Sequence, residues 1–200
     1  MSTVLGPRFA QALGYAAAVH HHQLRKGPKQ LPYISHLLSV TALVIEEGGS
    51  EDEAIAALLH DAAEDQGGER RLAEIESLFD SDVATIVREC SDSLTEDPDA
   101  KGDWRVRKAA YIEHLESASP GALRVSLADK VHNARSILRD LQQEGDAVWQ
   151  RFAVEDPQEQ LKYYESLADR FERLVPGWLA QELSRTVGEI RSVVERPRDL

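Results

Sequence analysis

Apolar positions recur along this chain at three- and four-residue intervals, and nowhere do they alternate over the length a half-buried strand needs. Phe9–Gln23 places Leu13, Ala16, Ala17 and His20 on one side, and Ile34–Glu46 gathers Ile34, Leu37, Leu38, Thr41, Ala42 and Ile45 into a face. Between them LRKGPKQLPY, with Gly27, Pro28 and Pro32, predicts a loop. Ser50 and Glu53 have capping-box spacing and open a helix expected to run to about Glu64, closed by Gly67-Gly68. Short helices are expected over Arg70–Phe79 and Ser81–Glu89. The segment Ser91–Asp103 (SDSLTEDPDAKGD) is polar, acidic and broken, so it reads as a loop or lid. Trp104–Ser117, Gly121–Asp140, Pro157–Val175 and Trp178–Val194 are the remaining helices, separated at Pro120-Gly121, Gly145-Asp146 and Asp156-Pro157, and Glu195–Leu200 is expected to fray. The pattern predicts one all-α domain of roughly eight to ten helices, with 157–194 packed on its core as a C-terminal extension.

A chain of 200 residues can bury a core without covalent staples. The single cysteine, Cys90, leaves no internal disulfide framework and fits a reducing compartment. The start of the chain lacks the pattern of a secretory signal, and its longest apolar runs are about six residues, far short of a membrane span. A cytoplasmic location with no membrane partner is the expectation. The net charge of −12, from 23 Lys and Arg against 35 Asp and Glu, disfavours a nucleic acid polymer as partner. It leaves open a small phosphorylated substrate, whose charge meets only the pocket. The amphipathic stretch Trp178–Val194 either completes the core or builds a homodimer face.

The chemistry concentrates in AIAALLHDAAED, Ala54–Asp65. His60, Asp61, Glu64 and Asp65 lie at what should be the C-terminal end of a buried helix, and at about 100° per residue they share one arc. Acidic groups there oppose the helix dipole and repel one another, and a cation resolves both conflicts. His36, just after the loop, and Asp129, in an otherwise apolar helix, complete a set of two histidines and two carboxylates. Mixed nitrogen and oxygen donors favour Mn²⁺, Fe²⁺, Co²⁺ or Zn²⁺ over Mg²⁺. The run His20-His21-His22 cannot face one ion, because consecutive helical residues fan apart.

Three ordered pieces carry a resemblance. They are Arg25-Lys26-Gly27 leading to Pro32-Tyr33-Ile34-Ser35-His36; Ala57–Asp61 (ALLHD) with Glu64 and Asp65; and Leu127–Arg135 (LADKVHNAR). Together they resemble the HD-domain metal-dependent phosphohydrolases, and more narrowly the hydrolase domain of RelA/SpoT-type enzymes and their small single-domain relatives, which remove the 3′-pyrophosphate of guanosine 3′,5′-bis(diphosphate). The resemblance implies that His36, His60, Asp61 and Asp129 ligate a divalent metal, usually Mn²⁺. It makes Glu64 and Asp65 the catalytic acidic pair, and Arg25, Lys26, Asn133 and Ser136 substrate-contacting positions. The chain departs from the family pattern at Leu37, where proline is usual, and in its GPKQLP turn.

On that basis Glu64 or Asp65 would orient or deprotonate a water, and Arg25 and Lys26 would offset phosphoryl charge. Arg107 and Lys108, after the acidic loop, are further cationic candidates. Asn133, one turn past Asp129, faces the same cavity and could hold substrate or brace the water. Two other functions remain on the same residues: hydrolysis of another nucleotide or phosphoester, such as a 5′-nucleotide or the 2′-phosphate of NADPH, and non-catalytic sensing of a nucleotide.

Overall fold

A computed structural model of the chain describes residues 4–27, 29–96 and 102–195. Residues 97–101 of the expected acidic loop, Pro28 of the expected turn and the tail from 196 onward lie outside the described residues. The described elements are α1 (Pro7–Val19), α2 (Ile34–Glu46), α3 (Glu51–Leu59), α4 (Ala62–Asp65), α5 (Gly68–Phe79), α6 (Ser81–Cys90), α7 (Trp104–His114), α8 (Pro120–Glu144), a 3-10 turn (Gly145–Arg151), α9 (Pro157–Leu174) and α10 (Trp178–Val194). The fold is all-α, and the sole extended pairing among the described residues is the bridge between Leu24 and Pro32.

Short polar side chains fix where helices begin, by accepting from the first free amides. Ser50 opens α3 with a complete capping box. Asp80 caps α6, Asp103 caps α7, Ser119 caps α8 ahead of Pro120, and Asp156 caps α9 ahead of Pro157. At the other end of α8, Gly145 takes φ 61°, and the chain continues directly into the 3-10 turn where the sequence pattern predicts only a break.

The long helix α8 is the axis of the molecule, packed against α2, α3, α6, α9 and α10. Its expected stripe of Leu123, Val125, Leu127, Val131 and Ile137 is buried. Helix α3 lies beneath it among α1, α2 and α6 and is buried along its length from Ala54 to Leu59. Helix α10 buries Leu179, Leu183, Val187 and Ile190 against α8 and α9. The face expected on α2 is narrower than predicted, since Leu38 is 46% exposed while Leu37 is fully buried. On α1, Ala12 and Ala16 are buried and Ala17 faces solvent.

One departure from the expected helices bears on the site. The helix predicted to continue to Glu64 stops at Leu59, turns at His60-Asp61 and resumes as the single turn α4. Neighbouring side chains on an unbroken helix leave the axis about 100° apart. The turn removes that constraint and lets His60 and Asp61 aim at one point.

Candidate active site

Helices α2, α3 and α8 bring one donor atom each of His36, His60 and Asp129 within 4.8 Å of one another. Asp61 Oδ2 joins them, 3.1 Å from His60 Nε2 and 3.5 Å from His36 Nε2. Asp129 Oδ1 stands 3.2 Å from His36 Nε2 and 3.7 Å from His60 Nε2. Donors sharing one ion at about 2.1 Å must be spaced in this range. Both Nε2 atoms are buried and make no hydrogen bond. Their opposite nitrogens explain why: His60 Nδ1 lies 2.9 Å from the Ala57 carbonyl oxygen, which can only accept, so the Nε2 lone pair is free. His36 Nδ1 lies 2.7 Å from Nδ1 of His132. With His132 accepting, His36 likewise presents a bare Nε2. Burial, then the neighbouring His36, pushes His132 down to about 3, so it is neutral and able to accept.

The electrostatics call for positive charge at this point. Burial by itself would raise the Asp61 and Asp129 carboxyls, but His60 beside Asp61 and Lys130 on Asp129 hold both well below the usual range. Burial opposes a proton on His60, yet Asp61 and Asp129 outweigh it and push that group well up. A divalent cation meets the same demand, and the donor set suits one. Tyr33 donates its hydroxyl to Asp61 Oδ2 at 2.7 Å, and burial followed by the charges of Asp61 and Asp65 keeps that phenol protonated. Lys130 Nζ donates to Asp129 Oδ2 at 2.6 Å and Asn133 Nδ2 to Asp129 Oδ1 at 2.5 Å.

A cavity of about 400 Å³ opens over this cluster. Asp61, Glu64, Asp65, Asp129, Asn133, Ser136, Arg25, Lys26 and Lys108 all line it; His36 and His60 lie buried behind the carboxylates. Glu64 Oε2 accepts from the Asp92 amide at 3.2 Å, and Asp65 Oδ2 accepts from Gln23 Nε2 at 2.7 Å. Arg25 reaches the site through Asn133, whose Oδ1 accepts from Arg25 Nη2 at 2.9 Å, so Asn133 links the cationic loop to Asp129. The loop is held by reciprocal backbone bonds, Arg25 N to Leu31 O and Tyr33 N to Gln23 O. Ser136 faces the cavity while its hydroxyl donates back to His132 O at 2.9 Å.

Arg107 and Lys108 are both tied to one buried carboxylate. Both donate to Asp92, at 2.5 and 2.6 Å, and that carboxylate is 3% exposed. Burial would raise Asp92, but Lys108 and Arg107 bring it down to about 2. Lys108 lines the cavity and Arg107 does not. Cys90 also lines the cavity; its thiol rests 3.8 Å from the Ala122 carbonyl and accepts from Ser126 Oγ, and burial pushes it up to about 11. Of the histidine run, His20 is buried and stacked on Tyr33, whereas His21 and His22 are exposed.

Several wall residues escaped the sequence reading. Lys130 was visible as the lysine following Asp129. Gln23, Asp92 and Arg151 meet their functional neighbours only through the fold. Arg151, from the 3-10 turn, donates to Asp140 at 2.9 Å and pairs with Glu144, and with Val148 and Phe152 it forms the outer wall.

Residues 12–158 match the family model described as HD domain, and the chain belongs to that family. It is 36% identical over 151 residues to the guanosine-3′,5′-bis(diphosphate) 3′-pyrophosphohydrolase MESH1 of Drosophila melanogaster, covering 74% of this chain and 78% of that one. To the Xenopus tropicalis protein of the same name it is 40% identical over 131 residues, 64% of this chain and 69% of that one. Among solved structures it is similar to a metazoan orthologue of SpoT that hydrolyses ppGpp and has a role in starvation responses, with a TM-score of 0.74, 30% identity and coverage of 94% and 97% of the two chains.

Proposed function

We propose that the protein is a metal-dependent hydrolase that releases the 3′-pyrophosphate of guanosine 3′,5′-bis(diphosphate). The observation that carries this is the cavity floor, where two bare imidazole nitrogens and two carboxylates converge and the acidic pair Glu64 and Asp65 stands beside them. The relatives named above supply the substrate. His36, His60, Asp61 and Asp129 would hold the ion, with Mn²⁺ the preferred metal. A divalent ion in this set supplies Lewis acidity at a phosphoryl oxygen and a more acidic water.

The chain's own residues do the rest. Glu64 and Asp65 are placed to take the proton of the attacking water. Arg25, Lys26 and Lys130 offset charge on the phosphoryl group undergoing transfer. Tyr33 and Asn133 hold Asp61 and Asp129 in orientation. The cleaved 3′ P–O bond leaves a nucleoside 5′-diphosphate and pyrophosphate, and the ribose 3′ oxygen takes up a proton. Residues 157–194 belong to the same hydrolase unit in this reading, since α10 covers α8 directly. Among the described residues no helix is long and apolar enough to cross a membrane, and we take the protein to act in the cytoplasm; a homodimer through α10 is a further proposal.

The test is phosphate and pyrophosphate release by metal-stripped protein, with and without Mn²⁺, from guanosine 3′,5′-bis(diphosphate), NADPH and simple 5′-nucleotides. Mn²⁺-dependent pyrophosphate release from the first, lost in His60→Ala and Glu64→Ala, is the expected result. Turnover of another compound alone would keep the site and replace the substrate. Tight nucleotide binding without turnover would make the protein a sensor.

A further inference from the structure

Gln23 follows the turn after α1, and its half-buried side chain lies on the cavity wall. Its Nε2 donates to Asp65 Oδ2 at 2.7 Å. Its Oε1 lies 2.6 Å from His20 Nδ1 and accepts from Gln66 Nε2 at 2.8 Å. An amide can present either end to a carboxylate, and the choice is set by its other partners. The Gln66 donor on the oxygen turns the nitrogen toward Asp65. His20 is 2% exposed, stacked on Tyr33 at 5.2 Å between ring centroids, and its Nε2 is buried without a partner. Burial pushes His20 below its ordinary value. The neutral ring therefore carries its proton on Nδ1, where the amide oxygen accepts it.

We propose that Gln23 is a positioning residue that, locked by His20 and Gln66, presents a fixed N–H donor to Asp65 and holds it as an oriented proton acceptor. The inference rests on the hydrolase reading in assigning Asp65 its use, but the network stands on its own geometry. The arrangement is directional. Were Asp65 protonated and donating, the amide would turn over, and His20 Nδ1 would have to accept from it. The tautomer of His20 thus reports which way Asp65 faces the chemistry. The backbone oxygen of Gln23 accepts from Tyr33 N at 2.9 Å. Side-chain replacements leave that loop anchor in place.

The experiment combines two measurements on the full chain. The first is ¹⁵N NMR of the imidazole nitrogens in histidine-labelled protein, which needs no substrate. A neutral His20 protonated at Nδ1 supports the proposal; protonation at Nε2 overturns it. The second compares Gln23→Glu with Gln23→Met. Glutamate keeps the size and the acceptor toward His20 and Gln66 but removes the donor toward Asp65. The expected result is a kcat loss of at least about tenfold in Gln23→Glu, no milder than in Gln23→Met, with KM and metal content within about twofold of wild type. A Gln23→Glu variant with wild-type kcat would overturn the proposal, because a packing role predicts rescue by glutamate. Wild-type protein that turns over no nucleotide would count against the hydrolase reading alone, and the His20 tautomer would still decide the network.

Discussion

The floor and the rim of the cavity are held in contrasting ways. At the floor, His36 and Asp129 project from α2 and α8 and His60 from the turn that ends α3, and each side chain has a second partner: His132, the pair Lys130 and Asn133, and the Ala57 carbonyl. At the rim, the stretch after α6 relies on one buried carboxylate, Asp92, gripping Arg107 and Lys108, and on a close backbone approach of Leu94 to Gly68. The floor is fixed many times over, as the proposed ion site would require. Among the described residues the rim is tied down mainly by polar contacts, to Arg107, Lys108, the Glu64 carboxylate and the Glu69 amide, rather than by buried helix faces.

His60→Ala breaks the floor and should have the largest effect. It leaves two carboxylates facing each other with one imidazole, so turnover should fall by at least about a thousandfold, with loss of bound metal. Metal analysis beside the activity assay checks both. At the rim, Gly68→Ala comes next. Gly68 has φ +57°, and an added Cβ would fall on the Leu94 carbonyl oxygen and within 3.0 Å of Glu96 N. Backbone on both sides cannot yield cheaply, and a loss of about 3 kcal/mol is expected from denaturant titration, with the ion site retained.

Asp92→Ala should cost about 2 kcal/mol at neutral pH by the same measurement, again without loss of metal. Its pH dependence follows from the folded-state value of about 2, depressed below that of the unfolded chain. The contribution is complete above about pH 4 and disappears as pH falls through the folded value, so wild type and variant should converge in acid. His132→Phe sharpens the contrast with the least effect. It keeps the packing against His36 but removes the acceptor, and about a tenfold weaker metal affinity is expected by calorimetry, with unfolding little changed.

The convergence of the floor residues could be anticipated from the sequence because histidine and aspartate are costly in a buried helix. An aspartate among Leu127, Ala128 and Val131 needs a reason, and so does a histidine-aspartate pair ending an apolar run. The helices themselves were legible from caps and apolar spacing, to within a few residues at their ends. The break at His60-Asp61 was not, because nothing local distinguishes that alanine-rich stretch from a continuous helix; the demand for convergence is tertiary. The rim was hidden for the same reason. Arg107 and Lys108 read as free cations because Asp92 lies 15 and 16 residues away across the acidic loop. Gln23 reads as the last residue of the first helix, which in the structure ends at Val19, until the fold sets it against Asp65, 42 positions on.

The thiol of Cys90, held at about 11, has a practical consequence. It is the chain's only cysteine, and burial leaves it with far less of the reactive thiolate at neutral pH than an exposed cysteine has. Alkylating reagents should therefore pass it by. A cysteine introduced at Val106 on α7, 68% exposed, would take a fluorescent label in the otherwise unaltered protein. The surroundings of α7 could then be followed optically as nucleotides are added, with no need to remove the native sulfur from the cavity wall.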